Sequence, residues 1–220
     1  MNEIIPGILA ASLDEIEKKI ERVRPFATTL HIDLMDGSFA QNTTYLDPTS
    51  FAKYSQDFFL EVHMMVDDPL SYLKPFADAG FKRFMGHVEK MKNVEEFVSQ
   101  GQLSGEVGLY LDGPTPLESI TVPLEDLDSI GIFTAKKVGF SGQPFEQETL
   151  KKIQAIRGKN ILNARGLPLA IEVDGGINEK TLLLAKEAGA SRFVCSSALF
   201  AKENIQQAFN SLQKLQYSSQ

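Results

Sequence analysis

Apolar positions along this chain follow two alternating rhythms. The short apolar run "IIPGILA" (4–10) reads as a strand, and the amphipathic "SLDEIEKKIERVR" (12–24) after it reads as a helix. In that helix Leu13, Ile16, Ile20 and Val23 recur at helical spacing, and Ser12 followed three residues later by Glu15 has the form of a capping box. The alternation then repeats. Strands are predicted at "TTLHIDLM" (28–35), "FFLEVHMMV" (58–66), "FKRFMGHVE" (81–89), "GEVGLYLD" (105–112), "LDSIGIFTA" (127–135), "LPLAIEVDGG" (167–176) and "SRFVCSSALF" (191–200). Helices are predicted at "PTSFAKYS" (48–55), "DPLSYLKPFADAG" (68–80), "NVEEFVSQG" (93–101), "TPLESITV" (115–122), "FEQETLKKIQAIRGK" (145–159), "NEKTLLLAKEAG" (178–189) and "KENIQQAFNSLQKLQ" (202–216). Pro75 is expected to kink or shorten its helix, and Asn178 to cap the one it precedes.

Eight strand-like and eight helix-like segments in strict alternation imply a parallel sheet with right-handed crossovers. Within 220 residues they fit an α/β fold of the closed (β/α)8 TIM barrel type, with an open doubly wound sheet as the competitor. No linker or compositional break interrupts the chain, so 1–220 is expected to be a single domain.

Composition narrows the function classes. A net charge of −7 argues against a nucleic-acid partner, which needs a basic face, but leaves local phosphate binding by backbone N–H groups open. Cys195 is the one cysteine, so no intrachain disulfide is expected and a reducing cytoplasm is the default. The opening "MNEIIPG" has neither a basic region nor a long apolar run, so no signal peptide is expected. No apolar stretch approaches the ~20 residues that span a bilayer, so no membrane partner is expected either.

In a barrel of this kind the active site lies at the C-terminal ends of the strands. The second strand ends with His31 and Asp33, the third with His63, the fourth with His87 and Glu89, and the seventh with Asp174. All three histidines of the chain therefore fall on one rim. Side chains two apart on a strand share a face, so His31, Asp33 and Met35 point the same way. His63 on the adjacent strand is about 4.8 Å away, within reach of the same point. Each residue alone would pass for a satisfied polar group. Together, two imidazoles and two carboxylates form a plausible site for one divalent metal ion, with Zn2+, Fe2+, Mn2+ and Co2+ all suited to it. A second constellation is rich in glycine and serine: "VGFSGQPF" (138–145), "DGG" (174–176) and "CSSALF" (195–200). Gly139, Gly142, Gly175 and Gly176 would let backbone N–H groups approach an anion, and Ser141, Ser196 and Ser197 would add hydroxyls.

These motifs resemble the ribulose-phosphate 3-epimerase family along nearly the whole chain. "PGILAASL", "HIDLMDGSFAQN", "LEVHMMVDDPLSYL", "GHVEK", "GPTPLE", "GFSGQPF", "EVDGGIN" and "SSALF" follow in the family's order. The resemblance implies metal ligands at His31, Asp33, His63 and Asp174 and acid/base carboxylates at Asp33 and Asp174. It implies phosphate contacts at Gly139, Phe140, Ser141, Gly142, Gly175, Gly176, Ser196 and Ser197, with Met35 and Met65 lining the pocket. The implied partner is a small-molecule sugar phosphate, and a homo-oligomer, dimer or hexamer, is suggested. Inverting C3 beside a ketone needs one base on each face of the substrate, and a metal ion beside the 2,3-enediolate would stabilise its charge.

The chain also departs from the pattern. Gly7 replaces the family's early serine, a substrate contact, so one hydroxyl contact is expected to be missing. Ser196 stands where the family has glycine. "FTAKKVG" after the sixth strand brings Phe133 in place of methionine, two lysines and one extra residue. These changes motivate two alternatives: an epimerase for a hexulose 6-phosphate such as allulose 6-phosphate, and a non-catalytic sugar-phosphate-binding barrel. Phosphate-binding decarboxylases and synthases with an Asp-x-Lys-x-x-Asp strand motif are disfavoured, because Met35 occupies the lysine's place.

Overall fold

The computed structural model describes residues 2–217. Eight strands pair in parallel and in chain order: β1 (Glu3–Ile8), β2 (Thr29–Leu34), β3 (Phe59–Met64), β4 (Arg83–His87), β5 (Glu106–Leu111), β6 (Ser129–Phe133), β7 (Ala170–Asp174) and β8 (Arg192–Cys195). β8 pairs back onto β1, so the sheet closes into a barrel and the open-sheet alternative falls. The outer layer is α1 (Leu13–Val23), α2 (Leu70–Asp78), α3 (Val94–Gln102), α4 (Thr149–Gly158), α5 (Glu179–Ala188), the short α6 (Ser197–Phe200) and α7 (Ile205–Tyr217). None of the helices among the described residues is long and apolar enough to cross a membrane.

Local chemistry sets the helix ends. The Ser12 hydroxyl accepts from the Glu15 backbone N–H at 3.3 Å, while Ile16, Ile20 and Val23 of α1 are buried against the strands. The reciprocal capping box forms at α5 instead, where Asn178 and Thr181 satisfy each other's backbone N–H groups. α2 runs on through Pro75 to Asp78.

Two expected α-helices are 3-10 turns: Pro48–Tyr54, and Leu117–Ser119 followed by Leu124–Asp126. The second is bracketed by Pro116 and Pro123 and contains β-branched Ile120, Thr121 and Val122, which disfavour a longer helix. α4 begins at Thr149, four residues later than "FEQE" suggests. The eighth strand stops at Cys195, and the apolar Ala198–Phe200 part of the expected strand turns into α6; so short an apolar run does not by itself separate strand from helix.

Every residue of β2 is buried, because one face meets helices and the other fills the barrel. The register sets Asp33 beside His63, His31 beside both Glu61 and Gly7, and Phe133 beside Asp174. Side-chain alternation then carries His31, Asp33, His63 and Asp174 into the barrel while Ile32 and Leu34 join the outer core.

Candidate active site

The four converging groups meet at the mouth of the barrel. Ligand-capable atoms of His31, Asp33, His63 and Asp174 lie within 4.8 Å of one another. His63 Nδ1 sits 3.2 Å from Asp33 Oδ1 and 3.4 Å from Asp174 Oδ2. His31 Nε2 is 3.3 Å from Asp33 Oδ1, yet it is buried and makes no hydrogen bond among the described residues.

Hydrogen-bond bookkeeping fixes what these atoms offer. His31 Nδ1 faces the Glu61 carboxylate, which only accepts, so that nitrogen carries a proton and Nε2 is the atom turned to the cluster. His87 Nδ1 likewise donates to Glu89 Oε2 at 3.0 Å, and Glu89 accepts a second bond from the Asp112 N–H at 2.6 Å. Neutral His87 then accepts at Nε2 from His63 Nε2, 2.9 Å away, while His63 Nδ1 lies 3.2 Å from Asp33 Oδ1, a carboxylate that only accepts, so His63 donates from both ring nitrogens. An ion entering the cluster would take the place of the imidazole protons that face the aspartates, and the set of two imidazoles and two carboxylates fits a divalent cation of mixed nitrogen and oxygen preference. The same demand for positive charge shows in titration. Burial would depress His31, but the carboxylates of Asp33 and Glu61 beside it raise its pKa well above the usual imidazole range. Burial would raise Asp33, but hydrogen bonds from His31 and His63 hold its carboxyl at about 2.

Beneath this cluster lies a second polar layer that the sequence reading did not single out. Arg83, 4 % exposed, pairs with Glu61 and, at 2.7 Å, with Glu106 Oε2. Tyr110 donates to Glu172 Oε1 at 2.7 Å and stacks on His63 with ring centroids 4.0 Å apart. The signal was present: Glu61 precedes His63 by two residues and Glu172 precedes Asp174 by two, so each shares its partner's inward face.

Above the cluster is a cavity lined by Asp33, Asp174 and all the glycine- and serine-rich stretches: Gly139, Phe140, Ser141, Gly142, Gly175, Gly176, Ser196 and Ser197. Gly176 has φ +69°, and a Cβ there would lie 2.5 Å from the Phe145 backbone nitrogen, so no side chain fits. Gly139 has φ +89° and packs its Cα face against Met35, whose sulfur would be 2.7 Å from an added Cβ. Asn42 donates to the Gly139 carbonyl at 3.0 Å, and Gln143 bonds to both Lys137 and Phe140, closing the reshaped loop on itself.

Of the two methionines, Met65 lines the cavity while Met35 does not; it is fully buried under that loop with Ala40, a packing role. Phe133 is buried against Met85 and Tyr110 and forms cavity wall. Leu9, Ile177 and Val194, which carried no sequence signal, line it too. Gly7 is not in the lining; its carbonyl accepts from Ser196 Oγ at 2.8 Å, which places a hydroxyl beside it.

Comparison with known proteins agrees with this architecture. The model of the ribulose-phosphate 3 epimerase family matches residues 3–200. The ribulose-phosphate 3-epimerase of Chlamydia trachomatis serovar D is 32 % identical over 207 residues, 92 % of this chain and 88 % of that protein. The one from Schizosaccharomyces pombe is 32 % identical over 216 residues, 96 % of this chain and 92 % of that protein. Among solved structures, 3-hexulose-6-phosphate synthase from Salmonella typhimurium superimposes with a TM-score of 0.69 at 12 % identity, covering 98 % of each chain. At that identity the likeness concerns the barrel alone. The sequence matches go further, and by them the chain belongs to the ribulose-phosphate 3-epimerase family and is a carbohydrate isomerase.

Proposed function

We propose that this chain interconverts D-ribulose 5-phosphate and D-xylulose 5-phosphate by inverting C3 through two-base proton transfer. The observation that carries the reading is the pair Asp33 and Asp174, brought from β2 and β7 to the floor of one cavity whose upper wall is the glycine- and serine-rich loops. One carboxylate removes the C3 proton from one face of the sugar, leaving a 2,3-enediolate. The other, in its protonated form, delivers its proton to the opposite face and is left as the carboxylate, and the roles exchange for the reverse direction. With its carboxyl held at about 2, Asp33 stays ionised across the physiological range and is ready to accept. His63, within 3.4 Å of both carboxylates, keeps them oriented, and Glu61 keeps His31 in the tautomer that faces them.

His31 Nε2, His63 Nδ1, Asp33 and Asp174 would hold one divalent ion, of the Zn2+, Fe2+, Mn2+ or Co2+ type. When bound, such an ion supplies Lewis-acid stabilisation of negative charge next to the reacting carbons. The backbone N–H groups of Gly139–Gly142, Gly175, Gly176, Ser196 and Ser197 would bind the phosphate. That position sets the sugar's length along the cavity and brings C3 between the carboxylates.

The test is incubation with D-ribulose 5-phosphate and each metal in D2O. Xylulose 5-phosphate carrying deuterium at C3 is the expected product. Exchange or turnover confined to allulose 6-phosphate would move the assignment to a hexulose 6-phosphate. Binding without exchange on either sugar would leave a non-catalytic receptor.

A further inference from the structure

We propose that the Ser196 hydroxyl is a specificity contact for the sugar, delivered from β8 into space that Gly7 on β1 leaves free. The inference rests on the epimerase reading of the cavity. A Cβ at position 7 would lie 2.6 Å from Ser196 Oγ and 2.7 Å from Val194 Cγ1, so the serine hydroxyl already occupies the place where a side chain at 7 would begin. Position 7 shares its face of β1 with Leu9, two residues on, and Leu9 lines the cavity, as does Ser196 itself. Ser196 has φ −100° and ψ −81°, on the negative-φ side open to a residue with a side chain.

The hydroxyl spends its single hydrogen on the Gly7 carbonyl at 2.8 Å. That bond fixes its rotamer and leaves oxygen lone pairs, so the group acts as an acceptor and reads a hydroxyl donor on the ligand. Its position on the wall suits that task. β8 and β1 are the two strands between β7, which carries Asp174, and β2, which carries Asp33. The Ser196 hydroxyl therefore stands on the arc between the two proposed bases, where the atoms flanking the reacting carbon would lie. The two departures at positions 7 and 196 from the epimerase pattern then become one exchange: the hydroxyl has moved to the neighbouring strand, and Gly7 is what makes room for it.

Steady-state kinetics with D-ribulose 5-phosphate, thermal melts and metal titration on the holoenzyme test this. Ser196→Ala should raise KM about five- to tenfold, the size of one neutral hydrogen bond, with kcat within threefold, metal affinity unchanged and the melting temperature lowered by only a few degrees for the lost bond to Gly7. Gly7→Ser alone should be worse, because it drives into Ser196 and Val194. Gly7→Ser combined with Ser196→Gly and Val194→Ala should recover part of the lost KM, which a merely structural serine would not allow. An unchanged KM for Ser196→Ala, or no recovery in the triple variant, overturns the proposal. Wild-type protein that turns over no ketose phosphate overturns the epimerase reading and this inference with it, whereas active wild type with an indifferent Ser196→Ala overturns the inference alone.

Discussion

The upper layer of the barrel interior (His31, Asp33, His63, Asp174) and the lower one (Glu61, Arg83, Glu106, Glu172) share strands β3 and β7, where Glu61 and Glu172 stand two residues before His63 and Asp174. Both layers bury carboxylates, and they satisfy them differently. The lower layer carries its own cation: Arg83 bridges Glu61 and Glu106, and Arg192 adds a contact to Glu106 at 3.2 Å. The upper layer has two carboxylates, two imidazoles and no guanidinium or ammonium. A buried carboxylate without a cation is costly, and a fold keeps such a cluster when something positive is meant to enter. The contrast therefore separates a layer that holds the barrel together from one that waits for a ligand.

The largest effect that would test this contrast falls on the upper layer. Asp174→Asn should lower kcat by about a thousandfold or more while circular dichroism and the melting curve stay as in wild type. Activity within tenfold of wild type would mean the carboxylate is scaffold like those below.

Next comes the lower layer's cation. Arg83→Met takes the guanidinium from buried Glu61 and half-buried Glu106 and should cost about 3–5 kcal/mol in urea unfolding, far more than Asp174→Asn.

The third prediction concerns pH. Burial, helped by the charge of Glu61, pushes the Glu172 carboxyl up to about 7. The native protein then keeps a proton that the unfolded chain releases above its usual pKa near 4.5. From this group stability is therefore full below pH 4.5 and declines as pH rises toward 7, by on the order of 3 kcal/mol. Glu172→Gln should flatten that part of the stability curve; an unchanged slope would show that another group is responsible.

The smallest effect lies on the link between the layers. Glu61→Gln should weaken divalent-ion affinity about 10- to 100-fold, read by titration with Zn2+ or Co2+, because His31 loses the carboxylate that fixes its ring. An unaltered affinity would show that the layers act independently.

Much of this was legible in the sequence because a strand repeats every two residues. That step made His31 and Asp33 a pair before any coordinates, and it also contained Glu61 under His63, which is clear once the inward face is known. Other features needed the third dimension. The Ser196 hydroxyl looked like a stray change in a phosphate loop, and Gly7 like a loss; only the closure of β8 onto β1 brings positions 189 residues apart into one hydrogen bond. Met35 shares a face with Asp33 yet is covered by Gly139, a contact across the reshaped loop that strand periodicity does not describe. The 3-10 turns at Pro48–Tyr54 and Leu117–Ser119 show the limit of apolar spacing in short segments, where proline and β-branched residues decide the outcome.

The two-residue step on β3 also governs how the gene can change. Replacing one residue there alters one contact, but inserting or deleting one would rotate Glu61 and His63 outward together, undoing floor and site in a single event. Length variation is therefore confined to the connections above the strands. The segment between Phe133 and Gly139, with its two lysines, lies in such a connection, where a change of length leaves the two layers in register.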